Sequence, residues 1–177
     1  MRRIGPHDTI TYAAFPTRLG SIWVAWTRRG ICRLSFRSRS ARSFAADLRR
    51  TFPGAAITIG SEKEAPASLA RELSDYSSGR TTSFTVPIDL AGLTPFQRLV
   101  LEATARIPYG EVVSYGTIAA AIGNPGSSRA VGNALGGNPV PILIPCHRII
   151  AAGGRIGGFT GGLRAKRRLL AVEGISL

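Results

Sequence analysis

The chain has 177 residues, 44% of them hydrophobic, which is enough for one compact domain or two small ones, each with its own core. No apolar run approaches the roughly 20 residues of a membrane span, and no apolar stretch follows the basic start Met1-Arg2-Arg3, so we expect a cytoplasmic protein without a secretory signal. Two cysteines, Cys32 and Cys146, do not make a disulfide framework, and the net charge of +13 favours a polyanionic partner.

The positive charge is spread along the whole chain. Residues 1–91 carry 14 basic and 7 acidic groups and residues 92–177 carry 9 and 3, which gives net charges of +7 and +6. Nearly all the basic residues are arginines, whose planar guanidinium suits phosphate groups. A need for solubility or an arginine-rich genome would produce the same excess, so charge indicates nucleic acid without identifying it.

The first part of the chain, residues 1–91, is typical of an α/β domain. Three β-rich segments punctuated by glycine predict an antiparallel meander: residues 9–15, 21–26 and 31–36. Apolar residues at helical spacing predict helices over residues 41–52 and 66–77, and residues 84–90 are predicted to be extended. Cys32 is expected in the strand core and His7 in a solvated tail, so this half offers too few ligands for a structural zinc site.

A mainly helical second domain is predicted over residues 92–177. Thr94 is a good N-cap and Pro95 fits the first helical position of a helix that extends to about Ile107. Its expected apolar stripe consists of Phe96, Leu99, Val100 and Ala103.

Two short helices separated by turn residues follow, which is the helix-turn-helix pattern. Ser114 predicts the start of the first, over residues 115–122, and Ser127 or Ser128 the start of the second, over residues 129–135. Apart from Arg129 and Asn133, the second helix carries only alanine, valine, glycine and leucine. Its slim face suits the DNA minor groove, which is only about 6 Å wide. A buried core helix with one exposed arginine is the alternative.

One cysteine and one histidine stand side by side after an apolar run. Three prolines within residues 139–145 exclude a helix, and residues 142–144 are predicted to form a short buried strand. Because neighbouring side chains of a strand point to opposite faces, Cys146 and His147 can cooperate only if the backbone bends or a water bridges them. An imidazole that accepts the proton favours the nucleophilic thiolate. The alternative is a buried structural cysteine beside a surface histidine.

Three glycine pairs follow between residues 153 and 162, and they indicate a close approach to a ligand, a flexible loop or a pair of wing strands.

The last predicted helix covers residues 163–173. Its inward residues are expected to be Leu163, Leu169, Leu170 and Val172, and its basic residues, Lys166 among them, are expected to point mostly outward. The negative charge of Glu173 at the C-terminal end of the helix is unfavourable by about 0.3–1 kcal/mol, because it interacts with the negative end of the helix dipole. We therefore expect its carboxylate to orient His147, with an ion pair to a neighbouring arginine as the alternative.

The segments around the Cys–His pair resemble the active-site signature of the O6-alkylguanine-DNA alkyltransferases, also called methylated-DNA–protein cysteine methyltransferases. The similarity covers nearly all of residues 92–174 and is carried by Thr94-Pro95-Phe96-Gln97, Ile107-Pro108-Tyr109-Gly110, Ser114-Tyr115-Gly116, Gly123-Asn124-Pro125, Arg129-Ala130-Val131-Gly132, Asn138-Pro139, Pro145-Cys146-His147-Arg148, Phe159-Thr160-Gly161-Gly162 and Glu173-Gly174. It implies an α/β, ribonuclease H-like N-terminal domain with a three-stranded antiparallel sheet (1–91). It also implies a mainly α winged-helix or helix-turn-helix domain that holds the DNA-binding surface and the active site (92–177).

The resemblance implies direct-reversal DNA repair by a single-turnover methyltransferase. Glu173, His147 and a water would activate Cys146, whose sulfur takes the alkyl group from O6-alkylguanine flipped out of duplex DNA; O4-alkylthymine is a second candidate substrate. The thioether product offers no carbonyl for water to attack, so each molecule would react once. No metal or organic cofactor is expected. The protein is expected to be a monomer that meets DNA at the nucleoid, with cooperative assembly on DNA left open.

The resemblance also assigns the functional residues. The implied catalytic set is Cys146, His147, Glu173, Asn138 and Tyr115. The implied DNA-binding set is Arg129, Tyr115, Ser128, Ala130, Gly132, Asn133 and Thr94, with Arg129 filling the place of the flipped base. The implied substrate pocket consists of Ile149, Phe159, Thr160, Gly161 and Pro141. Phe159 stands where many family members have tyrosine, which keeps the aromatic wall and removes the hydroxyl.

Two rival functions remain at this point. A non-catalytic alkyltransferase-like damage sensor or DNA-binding regulator would share the architecture, although such proteins lack the reactive cysteine that Cys146 supplies here. A cysteine hydrolase would also use Cys146 and His147, and it would show turnover beyond one equivalent.

Overall fold

The computed structural model describes residues 4–5 and 8–177 and divides into two compact units, Met1–Gly92 and Leu93–Leu177. His7, which is predicted to lie in a solvated tail, falls outside the described residues. None of the helices in the described ranges is long and apolar enough to cross a membrane.

The N-terminal unit is built on a mixed sheet with two α-helices. Its elements in chain order are β1 (Thr9–Thr17), β2 (Gly20–Thr27), β3 (Gly30–Ser35), α1 (Ala41–Thr51), β4 (Ala56–Ile59) and α2 (Leu69–Ser77). The spatial order of the strands is β3-β2-β1-β4, and the first three form the antiparallel meander that the sequence predicts. The second helix begins at Leu69, three residues later than expected.

The prediction of a three-stranded sheet is wrong, because β4 adds a fourth strand. It pairs parallel to β1, in register from Thr9 with Ala56 to Tyr12 with Ile59. This strand has only four residues, and its partner lies far back along the chain across α1. Local periodicity cannot show a short strand whose pairing depends on such a distant segment.

One hydrophobic core cluster of this unit lies between α1 and the sheet. Phe44 and Leu48 of α1 are fully buried and pack with Ile10 and Tyr12 of β1. Cys32 is 1% exposed, and burial raises the pKa of its thiol to about 12. Its position in the strand core therefore agrees with the sequence, and it stays protonated near neutral pH.

The C-terminal unit is mainly helical. Its elements are α3 (Pro95–Ala105), β5 (Val113–Ser114), α4 (Tyr115–Ala121), α5 (Ser128–Gly136), β6 (Ile149–Ile150) and α6 (Leu163–Val172), with β5 and β6 paired in parallel. Short 3₁₀ helices lie at Cys146–Arg148 and Ala152–Gly154. The helices α3 and α4 pack against α5, so α5 is held from two sides.

Local capping signals place the starts of these helices where the sequence predicts them. The hydroxyl of Thr94 accepts a hydrogen bond from Gln97 N at the start of α3, and that of Ser114 accepts one from Thr117 N at the start of α4.

The prediction for the apolar stripe of α3 is partly wrong. Leu99 is 49% exposed, and the helix buries Leu101 instead.

The strand predicted over residues 142–144 is wrong, because this segment is a turn. Ile142 has a φ of 78°, in the left-handed region, and the chain enters a 3₁₀ helix at Cys146. Asn138 holds the turn: its Oδ1 accepts from Val140 N at 3.0 Å, and its Nδ2 donates to Ile144 O at 3.0 Å. A buried side chain thus satisfies backbone groups that a strand would pair in a sheet.

The inner face of α6 also differs from the prediction. Lys166 is completely buried, whereas Leu163 is 43% exposed and Val172 is half-buried. Lys166 shares its face with Leu169 and Leu170, three and four residues later, as helical geometry requires. The inward stripe is therefore rotated from the expected one and includes a cation.

Candidate active site

Cys146 occupies the first position of a tight bend, where its sulfur meets a polar side chain. The residue is 5% exposed, and Asn138 Nδ2 donates a hydrogen bond to Cys146 Sγ at 3.1 Å. The same amide group that fixes the preceding turn therefore also touches the sulfur. The 3₁₀ helix at Cys146–Arg148 bends the backbone at the Cys–His pair. This is one of the two conditions under which Cys146 and His147 were expected to cooperate.

His147 is buried against a carboxylate. Its Nε2 lies 2.7 Å from Glu173 Oε1, and both side chains are inaccessible to solvent. Because Glu173 takes Nε2, a proton relay toward Cys146 would use the other ring nitrogen, Nδ1, which is also buried. The ring of Phe159 meets the imidazole edge-to-face, with centroids 6.4 Å apart.

Glu173 also forms the ion pair that the sequence left as an alternative. Arg148 donates to both carboxylate oxygens, from Nε at 2.8 Å and from Nη2 at 3.0 Å. Its Nη1 donates to Ile107 O at 2.6 Å, and Gly110 N donates to Glu173 Oε2 at 3.2 Å. The carboxylate is therefore held from three sides. Sequence reasoning missed the role of Arg148, although it stands within the quoted Pro145-Cys146-His147-Arg148 motif.

Cys146 lines a cavity of about 280 Å³, just below the usual range for small-molecule sites. Its lining combines α5, the glycine-rich segment and the nucleophile: Tyr115, Gly132, Leu135, Gly136, Cys146, Gly158, Phe159 and Thr160. Cys146 thus faces an opening beside α5.

Three residues of the implied pocket do not line this cavity. Ile149 and Pro141 are buried, and Gly161 lies beside Phe159. A Cβ at position 161 would lie 2.5 Å from the Phe159 ring, so glycine lets the aromatic wall keep its place.

The exposed side of α5 carries few side-chain atoms. Arg129, Ala130 and Asn133 are exposed, and Ser128 and Gly132 are half-buried. The phenol ring of Tyr115 lies against Gly132, 3.7 Å from where a Cβ would be, and its hydroxyl donates to Gly158 O at 3.5 Å. The inner side of the helix is buried through Val131, Ala134 and Leu135. The helix therefore has both the slim outer face and the buried inner face that the sequence offered as alternatives.

Thr94 is exposed and is not part of the cavity lining. Its hydroxyl takes part in the capping box of α3.

Sequence reasoning also missed Lys166, whose ammonium lies behind the cavity. Its Nζ donates to Ile149 O at 2.5 Å and to Gly158 O at 3.1 Å. The signal was available in the helical spacing of residue 166 with Leu169 and Leu170, but the charge of lysine predicted an outward position.

Burial dominates the ionisation of the site. It raises the pKa of Cys146 to about 11, against the lowering effects of the Asn138 hydrogen bond and the Lys166 charge. It also lowers the pKa of His147, although Glu173 opposes that shift, so the imidazole is neutral near pH 7 and able to accept a proton. Burial thus opposes the thiolate form that the imidazole neighbour is expected to favour.

The raised pKa of Cys146 has a measurable consequence. We expect iodoacetamide to alkylate Cys146 slowly at pH 7 and about tenfold faster for each pH unit up to 9.5, because the thiolate fraction grows tenfold per unit below a pKa of about 11. Peptide mass spectrometry would measure the rate at Cys146, with glutathione as the free-thiol reference. A rate at Cys146 that is already level between pH 7 and 9 would contradict a raised pKa.

Within the described ranges, no three His, Cys, Asp or Glu side chains cluster as a possible metal site.

Comparison with known proteins shows matches along both units. The family model for the ribonuclease-like domain of 6-O-methylguanine DNA methyltransferase matches residues 10–90, and the model for its DNA-binding domain matches residues 95–175. Together the two models cover most of the chain.

Three relatives illustrate the similarity. The inducible methylated-DNA–protein-cysteine methyltransferase of Bacillus subtilis is 37% identical over 86% of this chain and 84% of its own length. The methylated-DNA–protein-cysteine methyltransferase of Mycolicibacterium paratuberculosis is 50% identical over 60% of this chain, and the match spans only 64% of that relative. The crystal structure of Mycobacterium tuberculosis OGT in complex with DNA superimposes with a TM-score of 0.75, at 36% identity, over 92% of both chains.

Proposed function

Since this chain belongs to the 6-O-methylguanine DNA methyltransferase family, we propose that it repairs O6-alkylguanine in duplex DNA by moving the alkyl group onto Cys146. One observation carries the proposal: Cys146 lines a cavity beside α5, and the next residue, His147, is paired with the buried carboxylate of Glu173. A structural cysteine would need neither the cavity nor the paired imidazole.

The proposed reaction is a single displacement at the alkyl carbon. A bond forms between Cys146 Sγ and that carbon, the bond from carbon to guanine O6 breaks, and its electron pair stays with the guanine. The thiol proton leaves through a water to Nδ1 of His147, and the departing guanine takes up a proton from water at its ring nitrogen. The imidazolium then returns its proton to the solvent, so that one proton passes overall from the thiol to the guanine. Because burial raises the pKa of Cys146 to about 11, a base has to take the thiol proton in the course of the reaction.

His147 and Glu173 have distinct parts in this step. The neutral imidazole accepts the proton, and the carboxylate stabilises the imidazolium that forms. Arg148 holds the carboxylate in place through both of its oxygens, one of which also contacts His147. Asn138 donates to the sulfur and so stabilises negative charge as it develops there.

The proposed DNA contact is the exposed face of α5 in the minor groove. Arg129 fills the place of the flipped guanine, and Tyr115 displaces the flanking phosphate and donates a hydrogen bond to the guanine ring. The small residues Ala130 and Gly132 let the helix approach closely, and Asn133 and Ser128 provide polar contacts. Thr94 is proposed to reach the DNA backbone from the start of α3.

We propose that the flipped guanine binds inside the cavity and is recognised there. Phe159 forms an aromatic wall, and main-chain groups near Cys146, Ile149 and Thr160 recognise the guanine edge. Gly161 keeps Phe159 in position, and Pro141 supports the turn behind the sulfur.

A titration tests the activity. Increasing amounts of protein are added to a fixed amount of O6-methylguanine duplex, and the remaining lesion is measured after the reaction stops. We expect one lesion to disappear for each protein molecule and no more, because the thioether is not hydrolysed. Turnover of many lesions per molecule would point to a hydrolase, and DNA binding without loss of the lesion to a damage sensor.

Arg129→Ala is expected to impair extrusion of the base from the duplex without impairing the transfer of the alkyl group to Cys146. Repair of duplex DNA should slow by about 10²-fold, since the vacated place in the stack is no longer filled. The reaction with free O6-benzylguanine should stay within about twofold, because that base needs no extrusion. Single-turnover rates on both substrates measure the difference, and equal losses would contradict the extrusion role.

We also propose a more specific fold for each of the two domains. The strand order β3-β2-β1-β4 supports a ribonuclease H-like N-terminal domain over residues 1–91, and α4 with α5 supports a helix-turn-helix or winged-helix domain over residues 92–177. We propose that the protein acts as a monomer on nucleoid DNA in the cytoplasm. O4-alkylthymine is retained as a second substrate for the same cavity.

A further inference from the structure

The sequence of the N-terminal unit divides into a positively charged part and a negatively charged part. Residues 9–61 contain nine arginines and one acidic residue, Asp47, which gives a net charge of +8. Residues 62–89 contain three basic and five acidic residues, which gives a net charge of −2. An arginine-rich genome or a general need for solubility would not separate the two signs in this way. The positive excess therefore points to a partner for the first part.

Four of these arginines lie on α1 or just before it, and all four are exposed. Arg37 and Arg39 belong to the loop between β3 and α1, and Arg42 and Arg49 belong to the helix itself. Arg42 and Arg49 are seven residues apart, so they lie on the same side of α1, about 10 Å apart along its axis. We call these four residues the α1 arginine surface.

The charge of the α1 arginine surface is not neutralised within the described residues, where none of its four members forms an ion pair. Asp47, the one acidic residue of the positive part, is already engaged by two other arginines. Its Oδ2 lies 2.9 Å from Arg33 Nη2, and its Oδ1 lies 2.6 Å from Arg50 Nη2. The α1 arginine surface therefore presents four uncompensated positive charges to solvent.

The start of α1 adds to this positive potential. The first turn contains no acidic residue, and Arg42 occupies its second helical position after the N-cap Ser40. The positive end of the helix dipole lies at this point, so a cation is unfavourable there and an anion is favourable. An arginine at such a position is unfavourable for the helix alone, but it suits a surface that meets an anionic partner.

We propose that the α1 arginine surface binds the phosphates of duplex DNA and gives the N-terminal unit a DNA contact of its own, in addition to that of α5. Guanidinium groups match phosphate oxygens in pairs. A duplex carries one negative charge per roughly 1.7 Å of its axis, so the span from Arg42 to Arg49 corresponds to about six phosphates. The inference goes beyond the proposed function, and only the choice of duplex DNA over another polyanion rests on it.

A phosphate contact of this kind should act on binding and not on the chemical step. Phosphates carry no sequence information, so damaged and undamaged duplexes should gain affinity equally. Repair at protein concentrations below the Kd should follow that affinity, whereas repair of fully bound DNA should depend on the groups around Cys146. This pattern differs from that of Arg129→Ala, which is expected to slow repair of the bound duplex.

The test compares Arg42→Gln/Arg49→Gln with Lys63→Gln/Arg71→Gln, each in the full chain. Both variants lose two positive charges from exposed positions, and glutamine is a good helix former. Lys63 and Arg71 belong to the negatively charged part, so they control for the change in net charge. Fluorescence anisotropy measures the affinity for an undamaged duplex at several salt concentrations. The duplex is short enough to bind one protein molecule, which a stoichiometric titration verifies.

For Arg42→Gln/Arg49→Gln we expect a less steep dependence of binding on salt. The slope of log K against log salt should decrease in magnitude by about 1.8, because each lost phosphate contact accounts for about 0.9. The affinity at about 0.1 M salt should fall by about tenfold. The single-turnover rate on saturating O6-methylguanine duplex should stay within about twofold. Lys63→Gln/Arg71→Gln should keep both the slope and the affinity of the wild type, and thermal unfolding verifies that both variants are folded.

Several results would overturn the proposal. A slope that is unchanged in Arg42→Gln/Arg49→Gln would exclude a phosphate contact, and equal changes in both variants would show an effect of net charge alone. A loss of affinity confined to long duplexes that bind several protein molecules would assign the surface to contacts between copies of the protein. Should the wild type place no alkyl group on Cys146, the proposed function fails, and the salt slope still decides whether the α1 arginine surface binds duplex DNA.

Discussion

Cys146→Ser is expected to abolish alkyl transfer while leaving the protein folded and able to bind DNA. A serine hydroxyl is a far weaker nucleophile than a thiolate, so transfer should fall by at least about 10³-fold. The replacement is nearly the same size, and its oxygen can accept the hydrogen bond that Asn138 Nδ2 gives to Cys146 Sγ. Transfer of a radiolabelled methyl group from O6-methylguanine duplex to protein measures the effect.

The matched control is Cys32→Ser, which makes the same change at the other cysteine. Cys32 is buried in the N-terminal sheet, and its pKa is raised to about 12, so it is not expected to take part in the chemistry. The folded Cys32→Ser protein should therefore transfer methyl groups like the wild type. Methyl uptake that survives in Cys146→Ser and disappears in Cys32→Ser would move the nucleophile to the other unit.

Glu173→Gln is expected to have the largest effect on stability and a large effect on rate. The change removes the charge that pairs with Arg148 at 2.8 Å and contacts His147 at 2.7 Å, and it leaves a buried guanidinium without its counter-charge. Loss of one partner of a buried pair destabilises by about 3–5 kcal/mol. Transfer should also slow by about 10²-fold or more, because the imidazole loses the group that stabilises its protonated form.

Glu102→Gln provides the comparison for this change. Glu102 is 48% exposed on α3, and its carboxylate lies 3.9 Å from Arg98, so loss of this pair should alter stability by no more than about 1 kcal/mol. Thermal unfolding and single-turnover rates would be measured for both variants. If Glu173→Gln unfolded at the same temperature as Glu102→Gln, the buried network would not have the role that we give it.

The features that the sequence predicted correctly depend on short-range signals. Thr94 and Ser114 are N-caps because a side-chain oxygen reaches a backbone N–H three residues later, and nothing else in the fold is needed for that. The meander of β1, β2 and β3 likewise depends on alternation and nearby glycines. We also expected Cys146 to lie in a pocket beside α5. This expectation came from the resemblance of the segments around Cys146 and His147 to the alkyltransferase signature.

The features that the sequence missed depend on distant partners. The strand β4 exists because β1 offers it an edge, and the turn at Ile142 exists because the Asn138 amide satisfies its backbone. Lys166 is buried because two carbonyls, from Ile149 and Gly158, converge on its ammonium. The raised pKa of Cys146 likewise comes from burial within the folded unit. Apart from the helical spacing of residue 166 with Leu169 and Leu170, the local sequence contains none of this information.

The central claim is that Cys146 receives the alkyl group, and site-resolved mass spectrometry tests it most directly. The protein is incubated with an excess of O6-methylguanine duplex and then digested, and both cysteine-containing peptides are weighed. We predict a gain of one methylene on the Cys146 peptide, approaching complete modification, and an unchanged Cys32 peptide. Loss of the DNA lesion without a mass gain at Cys146 would contradict the account, as would an unmodified Cys146 in protein that binds the duplex.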